Sequence, residues 1–468
     1  MEALGFEEHL TCPRGRGDAP PGASSGSAGG GPCGDLVRFS VVLDGDSVSE
    51  ARFEASGCGA VVAAGSAAVA LVEGASVLDA GRVGPPQIAQ ELGGLSPGKL
   101  HAADLAAEAL ARALGAAVSN GPVMSSIDGR VLVAMSGGVD SAVAALISRR
   151  EGREPVAVTL ELWRDPEGDA EASCCSASAV LRARRVARDL GIPHFTLDLR
   201  EEFRGKVVDP WLAAHGKGTT PNPCIACNGE LRLGAMLRFA DRIGAERLAT
   251  GHYARLDRDA DLRIAADPGK DQSFMLASVD PATLARLEFP LGEWTKDEVR
   301  EAAAQAGLEV ADAPDSQDLC FLAGVGRERF LGRFGAAAPK RGRIVDREGT
   351  VLGRHDGAYR FTVGQRRGLE IGGLDEPFYV LATDTESNTV TVGPREALSL
   401  SEIEIGQLRL RESVESVSSV RLRSHAPAVG CRIDGTRLRL ERPVCAPAPG
   451  QTAVFLDGDR VVGCATIA

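Results

Sequence analysis

Between residues 130 and 335 short apolar runs alternate with amphipathic stretches. RVLVAM (130–135), PVAVTLEL (155–162), HFTLDL (194–199) and ERLATG (246–251) are rich in Val, Leu and Ala, which predicts short buried strands. Between them, 176–190 and 228–243 place apolar residues at helical spacing, with Leu233, Leu237 and Ala240 on one face. The alternation predicts an α/β fold, a parallel sheet with helices on both sides. Upstream, PPGASSGSAGGGP (20–32) reads as a loop, KLHAADLAAEALARALGAA (99–117) as a helix and SNGPVMSSIDG (119–129) as a linker. After 340 the helical pattern gives way to period-2 runs: TVLGRH, RFTV, FYVLATD, TVTVG, SVRLRS, RLRLE, TAVFLDG and VVGCATI. Turns at Asp434–Gly435 and Asp457–Gly458 punctuate them, which predicts one or two small antiparallel β-barrels. The expected divisions are 1–120, 130–335, 340–398 and 399–468.

At 468 residues the chain has length for about three domains, and 44% hydrophobic with 25% charged residues is ordinary globular composition. Disorder, collagen and coiled coil are excluded. No run is apolar and long enough to cross a membrane, and the acidic start MEALGFEEHLTCP lacks the basic and apolar regions of a signal peptide. A reducing cytoplasm is therefore expected. There, 11 bunched cysteines suggest metal or sulfur chemistry rather than disulfides. A net charge of −12 argues against non-specific coating of nucleic acid. Local recognition stays open, because arginines crowd 341–367.

Ser136-Gly137-Gly138-Val139-Asp140-Ser141 follows the strand RVLVAM and opens a helix. The glycines allow a tight turn, and the first N–H groups of the helix then face an anion. Ser136 and Ser141 add hydroxyl donors, and Asp140 can cap the helix or hold Mg²⁺. No Gly-Lys-Ser/Thr follows, so this is not a Walker A loop. It resembles the pyrophosphate loop of the ATP pyrophosphatase superfamily, which implies ATP as cofactor with Mg²⁺, and adenylation of a substrate oxygen. An amidotransferase-type synthetase or another tRNA-modifying ligase would share that loop.

The cysteines narrow the choice. Thr220-Pro221-Asn222-Pro223-Cys224-Ile225-Ala226-Cys227 puts two thiols where a Pro-rich loop enters a helix, and Cys320 follows in Asp315-Ser316-Gln317-Asp318-Leu319-Cys320-Phe321. With Gly251-His252-Tyr253, Lys270-Asp271-Gln272 and His355-Asp356-Gly357, then Thr362-Val363-Gly364-Gln365-Arg366-Arg367, these segments resemble the tRNA-specific 2-thiouridylases from about 130 to 468. The resemblance implies a sulfurtransferase that thiolates the wobble uridine of tRNAs for Lys, Glu and Gln. It implies ATP contacts at Ala134, Met135, Ser136, Gly137, Gly138, Val139, Asp140, Ser141, Leu160 and Gly251. Contacts to tRNA are expected at His252, Lys270, Asp271, Gln272, Arg366 and Arg367, with His355 nearby. In that family the residue matching Cys320 carries a persulfide and the one matching Cys227 resolves it. Many members have Asp where Cys224 stands. Three thiols, Cys224, Cys227 and Cys320, resemble instead the thiolation enzymes that hold a 4Fe–4S cluster, and both routes stay open. Cys174-Cys175 resembles a pair found near the nucleotide, and Cys431, Cys445 and Cys464 read as core thiols.

In 1–117, Cys33-Gly34-Asp35, Gly57-Cys58-Gly59 and Lys99-Leu100-His101 resemble the U-type iron–sulfur assembly scaffolds, implying an α+β domain. Its ligands would match Cys33, Asp35, Cys58 and His101, but Ala102 stands where the family has a further Cys. Zn²⁺, a labile cluster or a docking site for a cysteine desulfurase or other sulfur carrier is expected, with Cys12 as a substitute ligand. Tethering in one chain would raise the donor to about millimolar effective concentration. The rival reading is a non-catalytic iron–sulfur carrier that docks on tRNA.

Overall fold

The computed structural model describes residues 5–30, 34–164, 177–314, 319–322, 325–335, 340–372 and 376–468. Cys33, Cys174, Cys175 and Asp315 through Asp318 lie outside the described residues.

The N-terminal block is a three-stranded antiparallel sheet of β1 (Ser24–Gly29), β2 (Leu36–Asp44) and β3 (Ser47–Ser56), in that order. Five helices accompany it: α1 (Phe6–Thr11), α2 (Gly59–Val72), α3 (Val77–Ala80), α4 (Pro85–Glu91) and α5 (Leu100–Asn120). β1 corrects the expected loop at 20–32. Its Ser/Gly composition reads as a linker, yet smallness is what the packing needs. A Cβ on Gly26 would sit 2.4 Å from Ala113 N and 2.6 Å from Ala109 O of α5. α5 is alanine-rich for the same reason, because it is enclosed on more than one side.

The central sheet is parallel throughout. It contains β4 (Arg130–Ala134), β5 (Glu154–Glu161), β6 (His194–Asp198), β7 (Arg247–Thr250) and Leu287–Glu288, in the order Leu287–Glu288, β7, β4, β5, β6. On one face Val131, Val133 and Ala157 pack under α6 (Val139–Arg150), α7 (Ala177–Asp189) and the helix Lys296–Gln305. The alternate residues Leu132, Val156 and Val158 face the helix Leu233–Arg242 and, from the N-terminal block, α5. Strand order reverses at β4, so a crevice opens at the carboxyl ends of β4 and β7.

α5 is therefore a core element of both units. A Cβ on Gly115 would meet Thr196 O of β6 at 2.2 Å. Arg112 is bonded through Nε to both Glu161 oxygens at 3.1 Å and through Nη1 to Ser27 O at 2.6 Å. Glu161 is paired in register with Asp198, so α5 runs antiparallel to β6. The two units share one hydrophobic core, and their separation is set by packing rather than by a linker.

Residues 342–393 form a four-stranded sheet ordered Val351–His355, Gly342–Val345, Thr389–Gly393, Tyr379–Asp384, with one parallel pair in the middle. RFTV is not a strand. Ala358–Arg360 is a 3₁₀ turn after Gly357, and Thr362 and Gln365 close a tight loop by backbone and side-chain bonds. Six strands from Ser399 to Ile467 close into a barrel, extended by the hairpin strands Arg255–Leu256 and Leu262–Arg263 of the central block. No helix among the described residues is long and apolar enough to cross a membrane.

Candidate functional site

The loop after β4 is built as the sequence requires. Gly137 has φ +77° and a Cβ there would lie 2.3 Å from Ala179 O, so only glycine fits. Gly138 is the N-cap of α6. Ser136 N donates to Ser141 Oγ at 3.1 Å, and Ser141 Oγ donates to Gly138 O at 3.0 Å, which fixes the turn. Val139 is buried in the core, so it offers the loop only backbone. Gly251, after β7, lets that strand approach within a Cβ's reach of the Asp140 carbonyl carbon and Ser141 N, both 2.8 Å away.

Asp140 does not cap the helix, whose N-cap is Gly138. Its carboxylate accepts from Lys296 Nζ at 2.7 and 2.9 Å and from the Tyr253 hydroxyl at 2.8 Å. Lys296 is buried. Neither pairing was apparent in the sequence, because Tyr253 lies 113 and Lys296 156 residues away.

A cavity of about 250 Å³ opens at the carboxyl ends of β4, β5 and β7, lined among others by Ser136, Leu160, Cys224, Cys227, His252 and Cys320. All three cysteines thus line one cavity. Asn222 caps the helix Pro223–Ala226 by accepting from Cys224 N at 3.0 Å, and the helix continues through a π turn, Cys227–Arg232, into Leu233–Arg242. Cys224, Cys227, Asn228, Arg232 and Met236 lie at i, i+3, i+4, i+8 and i+12, one face of a helix, and all line the cavity. That spacing could have exposed Arg232 and Asn228 in advance. Cys320 is positioned by its neighbour: Phe321 packs against Phe203, Trp211 and Phe330 with ring centroids 5.2–6.0 Å apart. Aromatic residues are only 4% of the chain, so this concentration marks where rigidity is needed.

His252 joins the cavity wall with Nδ1 2.7 Å from Thr250 Oγ1. Burial, reinforced by the nearby Arg232 charge, pushes its pKa down to about 3, so the ring is neutral at working pH. Ala134, Met135 and Gln272 also line the cavity.

Other expectations need correction. Asp271 does not face the cavity. It is 1% exposed and accepts from Ala265 N, Ser273 N, Ser273 Oγ and Arg421 Nη1 of the C-terminal barrel, so its charge bolts two units together. Lys270 lies in the turn after Asp267, outside the cavity lining. His355 is buried, with Nδ1 accepting from Gly357 N, which makes it a loop anchor rather than an RNA contact. Cys445 is exposed, whereas Cys464 is buried and burial pushes Cys431 up to about 12. Arg366 and Arg367 are exposed on the loop beyond Thr362, whose hydroxyl lies 3.4 Å from that of Thr220, four residues before Cys224.

In the N-terminal block Asp35, Cys58 and His101 bring one donor atom each within 4.8 Å of one another. His101 Nε2 is 2.9 Å from Asp35 Oδ2, and Asp35 Oδ1 accepts from Cys58 N at 2.9 Å. Those bonds, the Cys58 N–H first and His101 next, hold the Asp35 carboxyl below its usual range. One carboxylate, one thiol and one imidazole suit tetrahedral Zn²⁺ or an exchangeable cluster. Ala102 is fully buried and Cys12 is not part of the group.

A parallel nucleotide-binding sheet with a glycine-turned anion loop and three cysteines in its crevice defines an ATP-using sulfur-transfer enzyme, here sharing a core with an α+β domain. The comparisons agree. Residues 6–119 match the NifU-like N terminal domain, 129–324 the tRNA methyl transferase HUP domain, 328–394 the tRNA methyl transferase PRC-barrel domain and 405–467 the aminomethyltransferase beta-barrel domain. The bifunctional protein NifU/MnmA of Rubrobacter xylanophilus is 42% identical over 98% of this chain and 97% of its own. The tRNA-specific 2-thiouridylase MnmA of Zymomonas mobilis is 42% identical over 71% of this chain and 92% of its own. A 4-thiouridine synthetase solved with RNA and ATP is 21% identical, covering 43% of this chain and 47% of its own, with TM-score 0.29. The chain belongs to the tRNA-specific 2-thiouridylase family, in the form that carries a NifU-like N-terminal domain.

Proposed function

We propose that this chain performs ATP-dependent 2-thiolation of the wobble uridine of tRNA, and that Cys224, Cys227 and Cys320 act as one set in the sulfur step. The observation that carries the reading is the single cavity in which all three thiols meet the strand end leading to the pyrophosphate-type loop. ATP phosphates fit the N–H groups of the loop Ser136–Ser141, leaving the adenine side against Leu160 and Ala134. The base enters beside His252 and Gln272, and its O2 takes the adenylate, releasing pyrophosphate. A soft sulfur then attacks C2 and AMP leaves. Apolar walls exclude water from the activated base. The exposed Arg366 and Arg367 hold the RNA backbone near the thiol loop.

Cys224, Cys227 and Cys320 would hold a 4Fe–4S cluster by three thiolates, and the cluster would supply the sulfide for transfer. Cys224 sharing the cavity supports that use over a two-cysteine relay. The donor set Asp35, Cys58 and His101, with Cys33, holds Zn²⁺ or an exchangeable cluster and receives the sulfur donor. Leu10, Leu36 and Leu100, exposed by 37%, 44% and 46%, adjoin those ligands and offer a partner an apolar rim. His101 lies about 16 Å beyond Arg112 along α5, at 1.5 Å per residue. Since α5 runs antiparallel to β6, this site projects past the same sheet edge at which the cavity opens. Purified chain should release pyrophosphate only with tRNA, and form 2-thiouridine only with a sulfur source as well. Pyrophosphate release without tRNA, or no thiolated nucleoside with all components present, would overturn the reading.

A further inference from the structure

A second cavity, of about 160 Å³, lies between the N-terminal block and the catalytic sheet. That is about ten times the roughly 10–15 Å³ a single water needs. Its walls come from the loop after α3, from α5, and from α7 with the turn into β6. α7 places Arg184, Arg185 and Arg188 there, α5 places Asp104, and the loop places Arg82.

Arg184 is the unusual member. It is 8% exposed, and its Nη2 reaches Thr196 Oγ1 only at 3.5 Å. Its Nε and Nη1 meet no acceptor among the described residues. A guanidinium withdrawn from water with unmatched donors is costly unless an acceptor arrives. The surrounding charges favour an anionic one. Arg185 is exposed at the rim, Arg82 and Arg188 are partly engaged by Asp79 and Asp189, and His194 stays neutral because burial pushes its pKa well down. Against these stands one lining acid, Asp104, whose carboxyl burial pushes up despite the arginines, with Glu108 and Glu161 behind it, both paired with Arg112.

We propose that this interdomain cavity binds a small tetrahedral oxyanion, phosphate or sulfate, with Arg184 as its principal donor. The guanidinium fork matches such an anion, and its fixed charge makes the bond strong. Bound there, the anion ties α7 to the N-terminal block and stiffens the junction that sets the distance between the two sites.

The probe is inorganic phosphate, titrated calorimetrically into the full chain at ionic strength held constant with sodium chloride. Saturable uptake of one phosphate per chain is expected, with sulfate competing and chloride not. Arg184→Gln should weaken it by about tenfold or more, the range set by hydrogen bonds to charged groups. Asp104→Asn, which removes the opposing charge, should tighten it. Absence of saturable uptake, equal competition by chloride, or an Asp104→Asn chain that binds no tighter would overturn the proposal. The Asp104 variant keeps the test decisive if Arg184→Gln fails to fold.

Discussion

The two cysteine-bearing sites are built in opposite ways. Asp35, Cys58 and His101 sit on three different elements, with Cys58 and His101 exposed and the donors already drawn together by hydrogen bonds. Cys224, Cys227 and Cys320 lie in a crevice walled by Leu160, Leu162, Phe203 and Phe321, on one helix face plus one aromatic-anchored turn. An open site suits loading and exchange with a partner. A walled one suits chemistry that water would spoil. Helix α5 carries His101 of the first site and packs on β6 of the sheet whose carboxyl ends form the second.

Removing the thiols breaks the comparison most sharply. Cys227→Ala and Cys320→Ala should reduce 2-thiouridine formation to background, whereas Cys58→Ala should leave it unchanged in a tube supplied with excess sulfide and lower it in cells. Nucleoside analysis by mass spectrometry reads both arms. Deleting 1–120 would not be a clean substitute, because it uncovers the β6 face carrying Phe195 and Leu197.

The joint itself comes next. Arg112→Ala strands Glu161, whose side chain is 9% exposed, and should cost about 3 kcal/mol as a broken buried pair. Urea unfolding of the full chain measures it. A loss within about 0.5 kcal/mol, ordinary for surface substitutions, would mean that the Arg112–Glu161 pair does not couple α5 to the catalytic sheet.

Acid sharpens the contrast in burial. His252 at about 3, His215 at about 4 and His194 well below its ordinary value are held neutral, in each case chiefly by burial. The unfolded chain takes up protons near pH 6.5 that the folded chain refuses. Stability should therefore be level above that pH and fall as pH drops toward 4, by up to about 1.4 kcal/mol per pH unit for each histidine. Unfolding midpoints at pH 7.5, 6 and 5 test this, and a flat profile contradicts it. The smallest effect belongs to Cys445→Ser, an exposed barrel thiol, which should leave thiolation unchanged and stability within about 0.5 kcal/mol.

What could be read in advance follows from where the determinants lie. β4, β5 and β6 announce themselves as apolar runs because both sheet faces are covered, and the Gly137 turn because no other residue fits it. β1 hid because SSGSAG earns its place through contact with α5 rather than through strand propensity. Asp271 looked like a substrate group beside Gln272, since its true partner, Arg421, is 150 residues distant. The partner of Asp140 was hidden for the same reason, with Lys296 supplied from another helix. Local chemistry was legible; charge partners brought in by the fold were not.

The most direct test of the three-thiol account is anaerobic purification of the wild type and Cys58→Ala, each with and without Cys224→Ala, followed by iron and acid-labile sulfide counts and a thiolation assay. The account predicts about four irons per chain that survive Cys58→Ala but are lost, together with thiolation, in Cys224→Ala. Iron-free protein that thiolates tRNA, with Cys224→Ala as active as the wild type, would contradict it and leave sulfur transfer to Cys320 and Cys227 alone.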